Sequence, residues 1–198
     1  MGKIEQLMAL AAELEANKKL PLMESNLVFG EGDSDATVLF IGEAPGVREN
    51  ELRRPFVGRS GLLLDKMFAT IDWKREQVYI TNIVKRRPPD NRDPLPAEIE
   101  AYKPYLARQI EILKPKIIAP LGRFSMNYFL PEAKISRDQG KLFKVYLPGQ
   151  VGDYFIYPLF HPAAALRSTT NYKALEDAFT RLPAALAKCE SLLLDSLK

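Results

Sequence analysis

The chain has 198 residues, of which 46% are hydrophobic and 27% are charged, a length and composition typical of one globular domain with a substantial core. Its net charge of +3 excludes a strong whole-chain basic field, so any nucleic-acid site must depend on where the cations lie. The single cysteine, Cys189, excludes an internal disulfide and a thiolate metal cluster, and the single histidine, His161, argues against a zinc site.

Predicted elements begin with a helix over residues 4–18, where apolar side chains recur at helical spacing. We assign residues 1–26 to this helix and its extension. A polar loop at 30–35 leads into an apolar run at 36–41 that is typical of a strand buried on both faces. The run ends in the sequence GEAPG, and a helix is predicted over 60–70 with Ser60 as its N-cap.

The alternation of strands and helices continues to the end of the chain. A strand is predicted at 77–83, an amphipathic helix at 96–113, a strand at 116–120 and a short helix that ends at Phe129. Final strands follow at 141–147 and 153–160, and a last helix begins near Asn171 and contains Cys189 as a buried, inert thiol. This order predicts one α/β domain, 1–198, with helices on both faces of a parallel sheet.

The N-terminal 19 residues lack the pattern of a signal peptide, and no run of about 18 apolar residues occurs. We therefore expect a cytoplasmic or nucleoid-associated protein without a membrane span.

Polar residues stand where three of the predicted strands end. Gly42 and Glu43 follow the first strand, Asn82 ends the second, and His161 follows the last. Ligands of parallel α/β sheets bind beyond the carboxyl ends of the strands. The sequence therefore predicts an active site at this edge of the sheet.

Each motif taken alone has an ordinary structural explanation. GEAPG fits a plain strand-to-helix turn, Phe56 a core aromatic, Asn82 an Asx turn and His161 a satisfied structural histidine. The cations concentrate in two loop-like segments, which also fits a solvated charged face: Arg48, Arg53, Arg54, Arg59, Lys85, Arg86, Arg87 and Arg92.

The motifs taken together are more specific. GEAPG with Glu49 behind it, PFVGRSG at 55–61, ITN at 80–82 with RPPDNR at 87–92, LG at 121–122 and HPAAALR at 161–167 occur in this order. This set resembles the uracil-DNA glycosylase superfamily, most closely its family 4 branch, from about Leu27 to Leu182. The resemblance implies a three-layer α/β/α fold around a central four-stranded parallel sheet, and hydrolysis of the N-glycosidic bond of uracil in DNA.

The resemblance also implies roles for individual residues. Glu43 and His161 are the expected catalytic pair. The expected base-binding set is Gly42, Ala44, Glu49, Phe56 and Asn82, in which Phe56 stacks on the extruded uracil and Asn82 recognises it. Residues expected to contact DNA are Arg59, Ser60, Lys85, Arg86, Arg87, Arg92, Leu166 and Arg167, with Leu166 entering the duplex as the base leaves.

The chain departs from family 4 at the cysteines that usually hold an iron–sulfur cluster. These cysteines fall near residues 20–23, at about Tyr102 and near Ile118 or Ala119, and none is cysteine here. We therefore expect no metal and no cluster, and we hypothesise that apolar residues pack in its place: Leu20, Leu22, Met23, Tyr102 and Ile118. Three further positions depart from what the resemblance to family 4 implies: Asn50 stands where that family commonly has aspartate, and Arg53 and Asp90 stand where it commonly has glycine.

The expected partner is uracil-containing DNA, single- or double-stranded, bound by a monomer. Two other hypotheses remain open on the sequence. One is a non-catalytic protein of the same fold that binds uracil or DNA. The other is a glycosylase for other deaminated bases, such as hypoxanthine.

Overall fold

The computed structural model describes residues 1–146 and 153–195, so Leu147 of the predicted strand at 141–147 lies outside the described residues. The first helix, α1, spans Lys3–Ala16 and buries Leu7, Leu10 and Leu14. Those three residues share one face, which confirms an amphipathic helix, but Ile4 and Met8, which the predicted apolar spacing included, are exposed.

A mixed sheet forms the centre of the fold. Its strands are β1 (Glu31–Gly32), β2 (Val38–Gly42), β3 (Tyr79–Asn82), β4 (Ile117–Pro120), β5 (Phe143–Tyr146) and β6 (Asp153–Ile156), in the order β1-β3-β2-β4-β6-β5. The central four, β3-β2-β4-β6, are parallel, as predicted. The strands β1 and β5 add antiparallel edges. The two-residue β1 was missed because it lies in a polar segment whose pairing depends only on tertiary contact.

Helices cover both faces of this sheet. They are α2 (Val47–Leu52), α3 (Arg59–Ala69), α4 (Pro96–Leu113), α5 (Arg123–Phe129), α6 (Ile135–Asp138), α7 (Pro162–Ala165) and α8 (Thr169–Asp195). The bounds of α4 match the prediction. The helix α3 begins one residue earlier than predicted and its N-cap is Gly58, so the assignment of Ser60 as N-cap is wrong. The predicted strand at 153–160 is also shorter, although Leu159 still pairs with Leu121 in parallel.

Successive residues of β2 alternate between two hydrophobic cores. Leu39 and Ile41 pack with α1 and α4, whereas Phe40 packs with α3 and α8. On the second face the ring centroids of Phe40 and Phe68 are 5.0 Å apart, and those of Phe40 and Phe179 are 5.9 Å apart. Strands buried on both faces between two helical layers confirm the three-layer α/β/α prediction.

The positions at which the resemblance to family 4 implies cysteines lie in the core beside α1 and α4. Leu20, Leu22, Tyr102 and Ile118 are buried in this core, and Met23 packs against it. The hydroxyl of Tyr102 donates a hydrogen bond to the carbonyl of Pro21 at 2.7 Å, which ties α4 to the segment before the first motif. The residues hypothesised to pack in place of the cluster are therefore members of one hydrophobic core.

The sole cysteine lies in α8, and its thiol is buried. The predicted burial of this thiol is thus confirmed, and burial raises the pKa of Cys189 to about 11 because the thiolate is poorly solvated there. Across residues 1–146 and 153–195, no cluster of three or more His, Cys, Asp or Glu side chains is arranged to bind a metal. Among the same residues no helix has the length and apolarity that a membrane span requires.

Candidate active site

The carboxyl ends of the central strands converge on a cavity of about 760 Å³. This convergence was predicted from Gly42, Asn82 and His161, which follow or end three different strands. Ten of the residues proposed from sequence line the cavity: Glu43, Ala44, Glu49, Phe56, Arg59, Ser60, Asn82, Arg92, His161 and Arg167. A volume of this size is within the range of ligand-binding cavities.

Gly42, the last residue of β2, is in close contact with two of these side chains. A Cβ placed on Gly42 would lie 2.3 Å from Oδ1 of Asn82 and 2.6 Å from the Phe56 ring. No real Cβ approaches other atoms so closely, so any other residue at this position displaces the amide, the ring or both. Gly42 therefore acts by leaving room for Phe56 and Asn82 beside each other.

The carboxamide of Asn82 lies in the cavity wall, where a ligand can form hydrogen bonds with it. Asn82 is 2% exposed at the end of β3, beside Gly42 in the sheet. Within the part of the chain that the structure describes, its amide makes no hydrogen bond to protein. Its polar atoms are not among the fully buried, unpartnered side-chain atoms, so they face the cavity and are accessible to a hydrogen-bonding ligand.

Phe56 has a constrained backbone, and Glu49 contributes to the constraint. Its φ of 51° lies in the left-handed region that bulky residues rarely adopt. After the turn, Glu49 Oε1 accepts hydrogen bonds from the amides of Val57 at 2.9 Å and Gly58 at 2.7 Å. Glu49 therefore lies in the cavity wall, as expected, with its carboxylate engaged in fixing the loop that carries Phe56.

His161 is held in one tautomer. It is the N-cap of α7, and the amide of Ala163 donates to His161 Nδ1 at 3.0 Å. The ring proton is therefore assigned to Nε2, which becomes a hydrogen-bond donor. Burial lowers the pKa of His161 to about 4, partly opposed by the nearby Glu49, so the ring is neutral at pH 7.

Two neighbours fix the place of the His161 ring. Its centroid is 5.7 Å from that of Phe56. On the other side Gly122, at a φ of 90°, leaves space where a Cβ would lie 2.9 Å from His161 Cβ. The LG motif thus supplies a glycine against which His161 packs.

Glu43 carries a carboxyl group poised to exchange a proton near neutral pH. Its pKa is raised to about 7, chiefly by burial and further by Asp93, while Arg123 opposes the rise. Asp93 and Arg123 line the same cavity and form an ion pair at 3.4 Å. Sequence reasoning missed both, although each directly follows a recognised motif, RPPDNR and LG.

Two of the proposed DNA contacts are wrong. Lys85 is fully buried, and its ammonium donates to Thr81 Oγ1 at 2.6 Å and to Gln109 Oε1 at 2.5 Å. Arg86 is 2% exposed and bonds to Glu15 and to the carbonyl of Ser25. Neither cation can reach a phosphate, because both lie in the bends at residues 83–86 after β3 with their side chains directed into the protein.

The other cations and the proposed wedge lie at the surface. Arg59 and Arg167 are exposed at the cavity, and Arg92 there is paired with Glu98 at 2.6 Å. Arg87 and Leu166 are outside the cavity lining; Arg87 Nε donates to Asn91 at 2.7 Å, and Leu166 is 43% exposed at the end of α7.

The two positions at which the resemblance implies glycine share one backbone conformation. Arg53 and Asp90 both have a φ of 54°, which glycine adopts freely and other residues rarely adopt. Glycine would therefore fit both positions with less backbone strain, and this chain forms the turns with Arg53 and Asp90 instead.

Comparison with known proteins agrees with this geometry. The family model "Uracil DNA glycosylase superfamily" matches residues 29–183. A type-4 uracil-DNA glycosylase of Sulfurisphaera tokodaii is 42% identical over 90% of this chain and 84% of that protein. Proteins of the same name from Archaeoglobus fulgidus and Thermotoga maritima are 37% and 40% identical, over 98% and 77% of this chain and 100% and 78% of those proteins. The chain belongs to the uracil-DNA glycosylase superfamily.

Proposed function

We propose that this chain is a DNA repair enzyme that hydrolyses the N-glycosidic bond of uracil in DNA and leaves an abasic site. The observation that carries the proposal is the convergence of four complementary groups on one cavity: a ring face, a free amide, a neutral imidazole and a carboxyl group of raised pKa. The direct test is alkaline nicking of a labelled uracil-containing oligonucleotide after incubation with the protein. An oligonucleotide that stays intact contradicts the proposal.

Recognition begins when the base leaves the stack and enters the cavity. Unstacking costs a few kcal/mol, and a ring that stacks on Phe56 recovers roughly 1–3 kcal/mol. Uracil presents an N3–H donor beside an O4 acceptor, and the Asn82 carboxamide offers one acceptor and one donor. Cytosine presents the opposite pattern at these atoms, so buried mismatched groups disfavour it.

Cleavage leaves an electron-poor sugar and places negative charge on N1 and O2 of uracil. In this proposal Nε2–H of His161 donates to O2 and stabilises the charge that develops, as a fixed donor does in an oxyanion hole. Ionised Glu43 orients the attacking water, accepts its proton and balances the cationic sugar. The neutral imidazole can fill this role because Nε2 keeps its proton while Nδ1 accepts from the amide of Ala163.

DNA contact is proposed for the exposed groups around the cavity. Arg59, Ser60, Arg92 and Arg167 line it, Arg87 lies on the adjoining loop, and Leu166 is an exposed apolar side chain that can fill the gap left by the base. All groups assigned to one base come from one chain, so we propose that a monomer acts on DNA. We propose the cytoplasm or nucleoid as its location, because its substrate is DNA.

We further propose that the enzyme works without an iron–sulfur cluster. Such clusters are held by thiolates, usually four, and this chain has one cysteine, which is buried in α8 away from the family positions. The purified protein should be colourless and contain no stoichiometric iron, and Cys189→Ala should not alter its metal content. Elemental analysis that finds about four iron atoms per chain would contradict this proposal.

Substitution of Asn82 should change which base is accepted. Asn82→Asp places a carboxylate against uracil O4, so uracil excision should fall by orders of magnitude, while cytosine gains an acceptor for its N4 amino group. Single-turnover excision from uracil and cytosine oligonucleotides measures both effects. Asn91→Asp is the matched control, since this exposed amide lines the same cavity. Equal base preference in the two variants would rule out Asn82 as the recognition group.

Substitution of His161 should change the rate and not the affinity. His161→Ala removes the donor to O2, and loss of one such donor costs about 100- to 1000-fold in rate. Single-turnover cleavage should slow by this factor, while the half-saturating concentration for uracil-DNA changes little. Cleavage at the wild-type rate would make His161 a structural residue.

The rate should depend on pH through Glu43. Because the ionised carboxylate is the active form and its pKa is about 7, the single-turnover rate should rise with pH through that value. Loss of a general base costs about 10²- to 10⁴-fold, so Glu43→Gln should be slow with a flat profile. Asp93→Asn should move the midpoint to lower pH, because Asp93 raises this pKa. A wild-type midpoint that persists in Glu43→Gln would assign the titration to another group.

A further inference from the structure

Contacts with neighbouring residues hold the backbone of Phe56 in an unfavourable conformation. A non-glycine residue at a φ of 51° persists only where its surroundings fix it. Glu49 fixes the amides that follow Phe56, as described above. Gly61 permits the close packing of this turn, because a Cβ there would lie 1.8 Å from the carbonyl oxygen of Phe56. Neither contact supplies a hydrogen-bond donor to the carbonyl groups of Pro55 and Phe56.

Arg75 binds both of these carbonyl groups. Its Nη1 donates to the carbonyl of Phe56 at 3.0 Å, and its Nη2 donates to the carbonyl of Pro55. A planar guanidinium presents its donors in a fixed fork, which suits two adjacent carbonyls better than a lysine ammonium does. The side chain lies in the short 3₁₀ helix Arg75–Gln77, immediately before β3.

The guanidinium is itself held by two carboxylates. Arg75 Nε donates to Glu31 at 2.8 Å, and Nη1 donates to Asp65 at 3.0 Å. Its side chain is only 14% exposed. Arg75 therefore connects the edge strand β1, helix α3 and the turn at residues 55–58, here called the Phe56 turn. Its guanidinium cannot move into solvent without breaking two ion pairs.

We propose that Arg75 is the positioning residue for the stacking ring of the active site. By holding the carbonyls of Pro55 and Phe56, it keeps Phe56 in the left-handed conformation that places the ring beside Gly42 and His161. This inference rests on the proposed function, since the ring matters only if a base enters the cavity. Arg75 touches neither substrate nor reacting atoms; it acts through Phe56.

Arg54 offers a matched control on the same carboxylate. Arg54 pairs with Glu31 at 2.6 Å but is exposed, and it makes no hydrogen bond to the Phe56 turn among residues 1–146 and 153–195. Arg54→Met removes a cation from Glu31 and leaves the turn intact. Arg75→Lys keeps a cation near Glu31 and Asp65 but lacks the planar fork for both carbonyls. Arg75→Gln serves as a second variant, which retains a single NH2 group as donor and carries no charge.

The measurement is single-turnover excision from a fluorescein-labelled, single-stranded oligonucleotide with one uracil, well below each variant's melting temperature. Stacking of one base corresponds to a factor of about 5 to 150, which sets the loss expected for Phe56→Ala. Arg75→Lys and Arg75→Gln should lose rate within this factor at an unchanged half-saturating protein concentration, whereas Arg54→Met should match the wild type.

A double-substitution cycle separates positioning from general stability. If Arg75 acts through Phe56, Arg75→Lys should change the rate by less than about twofold in a Phe56→Ala background, although both changes lower the melting temperature. Additive rate losses, or Arg75 variants as fast as Arg54→Met, would overturn the role of Arg75. A wild-type chain that leaves uracil in place would contradict the proposed function instead.

Discussion

The crowding of atoms at the carboxyl end of β2 is the constraint on which the site depends. Gly42 leaves the space in which the Phe56 ring and the Asn82 amide meet, Gly61 leaves space for the Phe56 carbonyl, and Gly122 leaves space for the Cβ of His161. These three close approaches come from separate parts of the chain. The cavity is thus shaped by missing side chains as much as by present ones.

Burial then sets the chemistry of the groups that crowd together. The same desolvation that keeps His161 neutral makes Glu43 reluctant to ionise, because each charged form loses water. Neighbouring charges adjust the outcome: Asp93 adds to the effect on Glu43, while Glu49 opposes the effect on His161. One environment therefore gives a neutral donor and a carboxylate that titrates near neutral pH.

The sequence predicted the order and burial of the central strands because continuous apolar runs between turn residues have few other folded states. It also predicted that Glu43, Asn82 and His161 meet at one cavity, since they end or follow strands that parallel pairing brings to one edge. It failed at Lys85 and Arg86, which are as basic as any residue in the loop. A cation in a loop faces solvent or core according to the packing of its neighbours, here Thr81, Gln109 and Glu15.

By itself, then, the sequence determined the α/β class and the central strands, because these follow from local patterns of apolar and polar side chains. Only the tertiary structure decided which cations remain at the surface, how the Phe56 turn is held, and which nitrogen of His161 carries the proton. Those properties depend on contacts between residues far apart in the chain. Arg75 reaches Phe56 across 19 positions and Glu31 across 44, and no local pattern encodes such a contact.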